Sequence, residues 1–455
     1  MTERRLCMTR GKHGSFPLLA LILAVFTSCN RESEIRKLFS ARLGTVELPA
    51  VEVTLSAPLV IENADGLHIR GNGARLKTGF EGRAAIHILN SKNVRLENFT
   101  LVGNRASQDQ RFGFPPADQP MTRWNRNNGI LVEQSSDIYL SKLTVREVVS
   151  YPVLINASRR VTVEEVLVGD SGSLDEKSMN NATGGILFEE GCEDFVVRKS
   201  KLRNIRGNGI WTHSLLSSPR NRRGLFEEND LRYIGRDALQ AGHAIELRIL
   251  RNTGAFIGFP VEHVDMGRLA TPVAIDTAGN VENSVYAENE FEEINGKCID
   301  LDGFHDGEVR ANRCVNRRSI DAYPHGHYGI VLNNSNPQMV SQNIRILGNY
   351  MEGFKFGGIF LIGQGHIVRD NQFLRINIAH CNENPNIGCR YKPDEPDLLQ
   401  TGIYLGKGAE RPAPAKNLTI EDNTVQGYKM ASRCISAAPG VSVHASRIAR
   451  NRCLD

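Results

Sequence analysis

An asparagine recurs after short apolar segments along most of the chain, and this repeat limits the folds open to it. The repeated residues are Asn98, Asn229, Asn252, Asn289, Asn312, Asn349, Asn371, Asn423 and Asn451. From Asn229 onward the spacings are 23, 37, 23, 37, 22, 52 and 28 residues. A base period near 22–23 with insertions is typical of a solenoid of stacked coils. We predict that each coil places its asparagine at the same corner. There the amides hydrogen-bond along the axis, and tolerance of the left-handed conformation suits a tight turn.

A second repeat marks one strand of each coil. Segments of the form Gly-x-Ile-x-apolar align as a ladder. Its markers are Ile130, Ile186, Ile210, Leu239, Ile275, Ile299, Ile330, Ile359, Ile403 and Ile435. The residues two positions on are mostly apolar, so both positions face a common core, because alternate side chains of a strand share one face. The residues one and three beyond each marker therefore point outward, which predicts parallel strands with one buried face and one solvent face.

Long polar insertions separate the coils. They include residues Asn104–Asn128, Gly169–Gly184, His213–Arg223, Gly258–Pro272, Arg317–Tyr328 and His380–Gln400. Loops of this length in a compact domain usually carry function or are disordered. On a solenoid they commonly wall a groove along one face, and we predict such a groove here.

The outward positions of the middle coils carry a carboxylate cluster. The markers before Asp276 and Asp300 differ by 24 residues, so Asp276 is predicted to lie beside Asp300 or Asp302. Neighbouring strands are about 4.8 Å apart and alternate residues of a strand about 6.6 Å apart. Carboxylates this close repel unless they are protonated, metal-bound or shared with a substrate. We predict that these three aspartates are catalytic, and Ca²⁺ is the candidate cofactor because hard cations prefer carboxylate oxygens.

Other side chains near this cluster are candidates for assisting roles. They are His305 and His213 as acid or base, and Trp211, Gln240, Lys297, Asn333 and Tyr404 as substrate-binding residues. Histidine titrates near neutral pH, a lysine can neutralise the carboxylate of a uronic acid, and aromatic rings can stack on sugars. For each of them a structural alternative stays open: a solvated histidine, an ordinary surface charge or a packed ring.

The segment that precedes the repeats resembles a known fold family. It contains Gly44-Thr-Val-Glu-Leu-Pro49 and Leu67-His-Ile-Arg-Gly-Asn-Gly-Ala-Arg-Leu76, after an amphipathic segment from Glu32 to Leu43. These segments resemble the capping helix and first strands of pectate-lyase-like proteins. The resemblance implies an all-β fold, a single-stranded right-handed parallel β-helix with a short N-terminal capping helix and long loops walling a groove. It also implies action on acidic or complex polysaccharides, as a lyase, a glycoside hydrolase or an epimerase.

The catalytic motifs of particular β-helix enzymes are only echoed in this chain. Ile275-Asp-Thr, Asp300-Leu-Asp and His325-Gly-His-Tyr328 differ from the polygalacturonase pattern, and Gly303-Phe-His-Asp306 differs from the Asp-Pro-His-Asp of mannuronan epimerases. No catalytic role therefore transfers residue by residue. The sequence favours a polysaccharide-active exported protein that cleaves or modifies a glycan in a carboxylate-rich groove. The alternative is a non-catalytic glycan-binding or envelope-scaffolding lipoprotein, whose groove needs no converging carboxylates.

The N-terminus resembles a bacterial export signal. Basic residues precede the apolar run Phe16–Phe26, which is too short to span a bilayer. The run ends in Phe26-Thr-Ser-Cys29, which resembles a lipobox, although Phe26 stands where leucine is usual. We predict a lipoprotein signal peptide over 1–28, a lipidated N-terminus and capping helix over 29–44, and a β-helix domain over 45–455. Lipidation at Cys29 would anchor the protein to a membrane of the cell envelope, and a cleaved secretory signal is the alternative.

Charge and cysteine content bear on partners and compartment. Beyond residue 29 the chain holds 51 Lys and Arg against 50 Asp and Glu, a balance that argues against nucleic acid as a partner. We expect a monomer whose ligand is a polysaccharide. In an oxidising compartment, local spacing pairs Cys298 with Cys314, Cys381 with Cys389 and Cys434 with Cys453, and leaves Cys192 alone. Buried free thiols are the alternative.

Overall fold

The computed structural model describes residues 31–107, 115–116, 118–266, 271–381, 389, 395, 397–408 and 411–455. A helix over residues 31–39 packs Ile35 and Phe39 against the first coil, which confirms the predicted cap. It ends before Leu43, which is 72% exposed, because the chain turns there to enter its first strand at Gly44. The predicted signal peptide and Cys29 lie outside the described residues. No helix in the described part of the chain is long and apolar enough to cross a membrane.

The other helical elements are short and lie in the insertions. They are the α-helix Met121–Trp124 and the 3-10 helices Arg105–Ser107, Val261–His263 and Ile320–Ala322. Nearly all remaining regular structure is β-strand, arranged in three parallel sheets that each receive one strand from almost every coil.

The first sheet has 14 strands. They are Gly44–Glu47, Leu67–Arg70, Lys92–Glu97, Ser136–Ser141, Arg159–Glu164, Val196–Arg198, Leu225–Glu227, Arg248–Leu250, Val285–Ala287, Glu308–Arg310, Arg345–Leu347, Ile367–Arg369, Thr419–Glu421 and Arg447–Ala449.

The second sheet also has 14 strands. They are Glu52–Leu55, Arg75–Thr78, Thr100–Val102, Thr144–Arg146, Leu167–Ser171, Lys201–Ile205, Asp230–Ile234, Thr253–Ile257, Glu290–Ile294, Arg313–Val315, Tyr350–Glu352, Gln372–Ile376, Thr424–Gly427 and Arg452–Leu454.

The third sheet has 15 strands and carries the predicted ladder. They are Leu59–Glu62, Ile86–Leu89, Ile130–Glu133, Val153–Asn156, Ile186–Glu189, Ile210–His213, Leu239–Ala241, Val273–Glu282, Lys297–His305, Ile330–Asn333, Ile359–Leu361, Ile403–Leu405 and Ile435–Ala437, with Asn221–Arg222 and Ala244–Ile245 off the main path. The three sheets enclose one continuous apolar core. This is the parallel β-helix that the repeat predicts.

The register of the third sheet confirms the ladder marker by marker. Ile210 pairs with Leu239, Leu239 with Ile275, and Ile275 with Ile299. Three coils were missed: Leu59 and Ile86 extend the ladder before Ile130, and Val153 stands between Ile130 and Ile186 in the sheet. Proline precedes Val153, whereas a glycine or another small residue precedes the recognised markers, so this coil lacks the sequence signal.

The asparagine ladder forms one chain of hydrogen bonds along the axis. From Asn229 to Asn451 each side-chain amide donates to the Oδ1 atom of the next asparagine at 2.8–3.0 Å. Two details of the prediction are wrong. Asn98 lies outside this chain, one position earlier in its coil, with a φ of 59°. The left-handed residue of the corner also precedes the ladder asparagine, as at Glu228 with a φ of 54°, since the asparagine itself is buried and fully hydrogen-bonded.

The disulfide pairing agrees with the expectation from sequence spacing. Bonds join Cys298 to Cys314, Cys381 to Cys389 and Cys434 to Cys453. Cys192 is buried and unpaired. Disulfides of this kind are typical of exported proteins, because reducing compartments keep thiols free.

Candidate active site on the third sheet

Three neighbouring strands of the third sheet bring the predicted aspartates together. Gln240 pairs with Asp276, and because Ile275 pairs with Ile299, the next residues, Asp276 and Asp300, lie side by side. Asp302 pairs with Ala278 on one side and Asn333 on the other. The sequence predicted that Asp276 lies beside Asp300 or Asp302, and in the structure it lies beside Asp300.

Each carboxyl group of the cluster has its own polar partner. Gln240 donates its side-chain amide to Asp276 at 2.7 Å. Lys297 forms an ion pair with Asp300. The backbone N–H of Ser335 donates to Asp302 at 2.8 Å. The three carboxyl groups are therefore held in different environments, although they lie on one face.

A fourth carboxyl group, Asp237, lies behind the cluster and was not predicted. It is buried and accepts a hydrogen bond of 3.1 Å from the backbone N–H of Val273. The sequence prediction considered only the positions one and three beyond each marker, and Asp237 stands two before Leu239. Lys297 occupies the same position before Ile299, so a row of residues two before the markers is the signal that would have found Asp237.

Burial and neighbouring charges raise the pKa values of Asp276 and Asp302. Asp276 is 7% exposed, and this burial raises its pKa well above the usual range, with the charges of Asp237 and Asp300 adding to the effect. Burial also raises the pKa of Asp302 to about 6, against the hydrogen bonds from Ser335. The surroundings of Asp276 therefore favour its protonated form, whereas Asp302, with a pKa of about 6, is mostly ionised at neutral pH.

Lys297 supplies the positive charge of the site. Burial lowers its pKa, but the neighbouring carboxylates, Asp300 first, outweigh burial and make the net shift upward. Asp300 is 7% exposed, and its Oδ1 atom has no hydrogen-bond partner among the described residues.

A cavity of about 230 Å³ adjoins the cluster. Lys297 and Asn333 form its polar side, and Val331, Phe360 and Leu399 contribute apolar walls. His327 also lines it, and burial, with help from Lys297 and Lys355, lowers the pKa of this histidine to about 3. His327 is thus neutral at neutral pH and adds no positive charge.

His305, a predicted acid or base, is directed away from the cluster. The chain bends at Gly303, whose φ is +84° and where a side chain would meet the carbonyl oxygen of Gly279. Beyond this bend the ring nitrogens of His305 are engaged by Asp306 at 2.7 Å and Asn280 at 2.8 Å. The described contacts of His305 include none of the three aspartates, so nothing in them supports a catalytic role.

The two predicted aromatic platforms are covered. Trp211 is 4% exposed and packs in a small apolar cluster with Tyr151 and Met121. Tyr404 is fully buried, and its hydroxyl donates to Glu395 at 2.8 Å. Neither ring is free to stack on a sugar in this structure, because insertions fold over the ends of the sheet.

His213 belongs to a different cluster from the aspartates. The strand Leu239–Ala241 separates its strand from that of Asp276. His213 pairs with Glu189 in the sheet, and the Nδ1 atom lies 3.8 Å from Oε2 of that glutamate. The structure thus does not join His213 to the predicted catalytic centre.

The aspartate cluster fits Ca²⁺ poorly. Among the described residues, the one group of three or more candidate ligands with all ligand atoms within 4.8 Å is Glu189, Glu190 and His213. The three aspartates do not converge in this way, and the Lys297 ammonium already supplies a positive charge at Asp300. A cation here would be repelled by the lysine, so we assign no chemical step to a metal at this site.

No protein-family model matches the chain, and no curated protein matches it. Solved structures do match. The Dettilon tailspike protein gp208 is 12% identical, with 84% of this chain and 64% of that chain covered, at a TM-score of 0.51. PfbA, a surface adhesin of Streptococcus pneumoniae, is 11% identical, with 72% of this chain and 81% of that chain covered, at a TM-score of 0.48.

A third match is a mutant form of the periplasmic alginate epimerase AlgG. It is 13% identical over 91% of this chain and 84% of that chain, with a TM-score of 0.42. At such identities the likeness concerns the fold alone. Together with the three parallel sheets, the match to the tailspike protein shows that the chain belongs by fold to the parallel β-helix proteins.

Proposed function

We propose that this protein is a polysaccharide-active enzyme that hydrolyses glycosidic bonds at the aspartate cluster. The observation that carries the proposal is the pairing of Asp276, whose burial favours the protonated form, with Asp302 on the neighbouring strand, whose pKa is about 6. Glycoside hydrolysis needs one carboxylic acid to protonate the leaving group and one carboxylate to activate water or attack the sugar. Environments that push the pKa values of neighbouring carboxyl groups apart are the usual way to obtain such a pair.

In this mechanism Asp276 gives its proton to the glycosidic oxygen as the bond to the anomeric carbon breaks. Asp302 takes a proton from a water molecule, whose oxygen forms the new bond to that carbon. Asp300, held by its ion pair with Lys297, stabilises the positive charge that develops on the sugar ring. The proton lost by Asp276 is recovered from solvent, and the proton on Asp302 is released to it.

Strand geometry favours water, rather than a carboxylate, as the attacking group. Asp276 and Asp302 are one strand apart and offset by two residues, which separates their Cα atoms by roughly 8 Å. Carboxyl groups about 6.5–9.5 Å apart leave room for a water molecule, as in inverting glycosidases. We therefore propose inversion at the anomeric carbon.

The charge distribution argues against elimination from a uronic acid. A lyase must neutralise the substrate carboxylate with a cation before the neighbouring proton is removed. Lys297 is already engaged by Asp300, and His327 is neutral. The mostly ionised carboxylate of Asp302 would repel an acidic sugar placed beside it, so a neutral sugar fits better.

Export supports a polysaccharide as the partner. The three disulfides are typical of a protein that folds outside the cytoplasm. We propose that the chain is a lipoprotein of the bacterial cell envelope, anchored at Cys29 and acting as a monomer on envelope or extracellular glycans.

The test is a panel of neutral and acidic polysaccharides assayed for new reducing ends and for unsaturated products. The proposal expects reducing ends without unsaturation, and loss of activity in Asp300→Asn and Asp302→Asn. Unsaturated products would show that the enzyme is a lyase and not a hydrolase. Binding without cleavage across the panel would favour a glycan-binding or scaffolding lipoprotein.

A further inference from the structure

Glu189, Glu190 and His213 form a second cluster, separate from the aspartates. Their ligand atoms all lie within 4.8 Å of one another. Glu189 and His213 close two paired strands of the third sheet, Ile186–Glu189 and Ile210–His213, and occupy the same position in each. Their side chains therefore share the outer face, with Glu190 at the turn that follows.

The carboxylate of Glu189 is buried without a full counter-charge. Its side chain has no exposed surface. Its oxygens accept hydrogen bonds from the backbone N–H groups of Met121 at 2.8 Å and Thr122 at 2.7 Å, and from the side-chain amide of Asn156 at 3.3 Å. These donors are neutral. In the described part of the chain, the only side chain in an ion pair with Glu189 is His213, at 3.8 Å. Buried charges in proteins are paired or bound to metal, which leaves a place for a cation here.

Glu190 adds a second carboxylate to the same place. Its Oε1 atom accepts a hydrogen bond of 2.9 Å from the backbone N–H of Leu215, again a neutral donor. No lysine or arginine of the described residues forms an ion pair with Glu190 within 4.0 Å. Two acidic side chains thus meet at one histidine.

Unpartnered polar atoms surround this cluster. Nδ1 of His213 is buried and has no hydrogen-bond partner among the described residues, and the same holds for Nε1 of Trp211 and the hydroxyl of Tyr151. Trp211 is 4% exposed and Tyr151 is fully buried. The ring centroids of Trp211 and His213 are 5.9 Å apart, and those of Tyr151 and Trp211 are 6.1 Å apart. Buried polar groups normally have partners, so the unpartnered Nδ1 atom of His213 and the unpartnered hydroxyl of Tyr151 point to a ligand at this place.

We infer that Glu189, Glu190 and His213 bind a divalent transition-metal ion such as Zn²⁺ or Mn²⁺. A neutral imidazole nitrogen with carboxylate oxygens is a donor set for these ions, whereas Ca²⁺ takes oxygen ligands almost exclusively. The backbone donors that hold Glu189 are the outer contacts that usually orient a ligating carboxylate. Remaining coordination positions go to water.

The ion would also stabilise the packing of the insertion that contains the short helix Met121–Trp124 against the β-helix. Glu189 accepts both hydrogen bonds from the start of the short helix Met121–Trp124, and Met121 packs on Trp211 within one apolar cluster. A metal on the other side of this carboxylate would fix its position and so stabilise the insertion. This role is structural and independent of hydrolysis at Asp276.

The test is titration of the metal-free protein with Co²⁺, whose visible absorption reports coordination by histidine nitrogen. We expect one Co²⁺ per chain in the unaltered protein, displaced by Zn²⁺, and a rise in Tm on adding Zn²⁺. His213→Ala should abolish both signals, and Glu190→Gln should weaken binding at least tenfold while leaving the anchoring of Met121 and Thr122 intact.

The matched control is His87→Ala. His87 lies on the same sheet and contacts Glu133 at 2.7 Å, but it has no second carboxylate in a ligand group. This variant should bind Co²⁺ as the unaltered protein does. The inference is overturned if the unaltered protein binds no Co²⁺, or if His213→Ala and His87→Ala bind it equally.

Discussion

The side-chain amide of Gln240 donates a 2.7 Å hydrogen bond to Asp276, and Asn208 in turn donates to Gln240 at 2.7 Å. The chain of amides runs across three neighbouring strands and fixes the carboxyl group against rotation. The hydrogen bond favours the ionised form of Asp276 and so partly opposes the effect of burial. Gln240 is therefore a positioning residue for the proposed acid.

Replacing Gln240 by alanine tests this positioning. Gln240→Ala should lower kcat roughly tenfold, because the loss of one hydrogen bond to a charged group costs about 1.4 kcal/mol. It should also move the alkaline limb of the pH–rate profile upward, since Asp276 would hold its proton more strongly. Gln372→Ala, which alters an exposed glutamine on the second sheet, is the control. An unshifted alkaline limb in Gln240→Ala would contradict the assignment.

The acidic limb of the same profile should report Asp302. Its pKa of about 6 means that the carboxylate is lost as the pH falls below that value. Since the proposed base must be ionised, activity should drop below about pH 6. Ser335→Ala removes a hydrogen bond that favours the ionised form and should move this limb to higher pH. A limb that stays in place in this variant would remove Asp302 from the role of base.

Ionisation of Asp302 should also affect stability, with the opposite sign from an ordinary salt-bridged acid. Its pKa is higher in the folded protein than in the unfolded chain, so the protonated state favours folding. That contribution is complete below about pH 4 and is lost as the pH rises through 6. Urea unfolding of Asp302→Asn across this range should show the variant gaining stability relative to the unaltered protein.

The stereochemistry of the product is a further expectation. Because Asp276 and Asp302 leave room for a water molecule, the first sugar released should carry the inverted anomeric configuration. Proton NMR on fresh reaction mixtures distinguishes the anomers before they equilibrate. Retention of configuration would mean that a carboxylate, with Asp300 the nearest to Asp276, attacks the sugar directly.

The asparagine ladder should carry measurable stability. Asn312 donates to the carbonyl of Tyr286 at 2.9 Å and to Asn349 at 3.0 Å, and it accepts from Asn289 at 2.8 Å. Asn312→Ala leaves these buried groups without partners and should lower the free energy of unfolding by about 3 kcal/mol. Asn283→Gly, at an exposed left-handed position that glycine accommodates, should have little effect in the same chemical denaturation. Equal losses in both variants would show that the ladder is not specially stabilising.

The sequence predicts the fold well because the β-helix repeats its hydrogen bonds and its core in every coil. A periodic asparagine and a periodic isoleucine are enough to set the register from Ile130 onward, except at Val153, where Pro152 replaces the small residue before the marker. The ladder positions Leu59 and Ile86, which precede Ile130, were also missed. The same register places Asp276 beside Asp300. Local pattern suffices here, because parallel stacking converts sequence spacing directly into spatial neighbours.

Insertions limit what the sequence predicts about the site. Their conformation has no period, so the sequence could not show that insertions cover Trp211 and Tyr404. Nor could it show that the bend at Gly303 turns His305 towards Asn280 and Asp306. Asp237 was missed for a different reason: it stands two residues before the strand Leu239–Ala241, outside the positions that the ladder marks as outward-facing.

The most direct test of the central claim is the rate of reducing-end release by Asp276→Asn on a polysaccharide that the unaltered protein cleaves. Loss of a general acid should lower this rate by about 10²–10⁴-fold. Asp370→Asn, which alters an exposed carboxylate whose side chain is 65% accessible, should retain the full rate. An Asp276→Asn variant that folds and cleaves as fast as Asp370→Asn would contradict hydrolysis at this cluster.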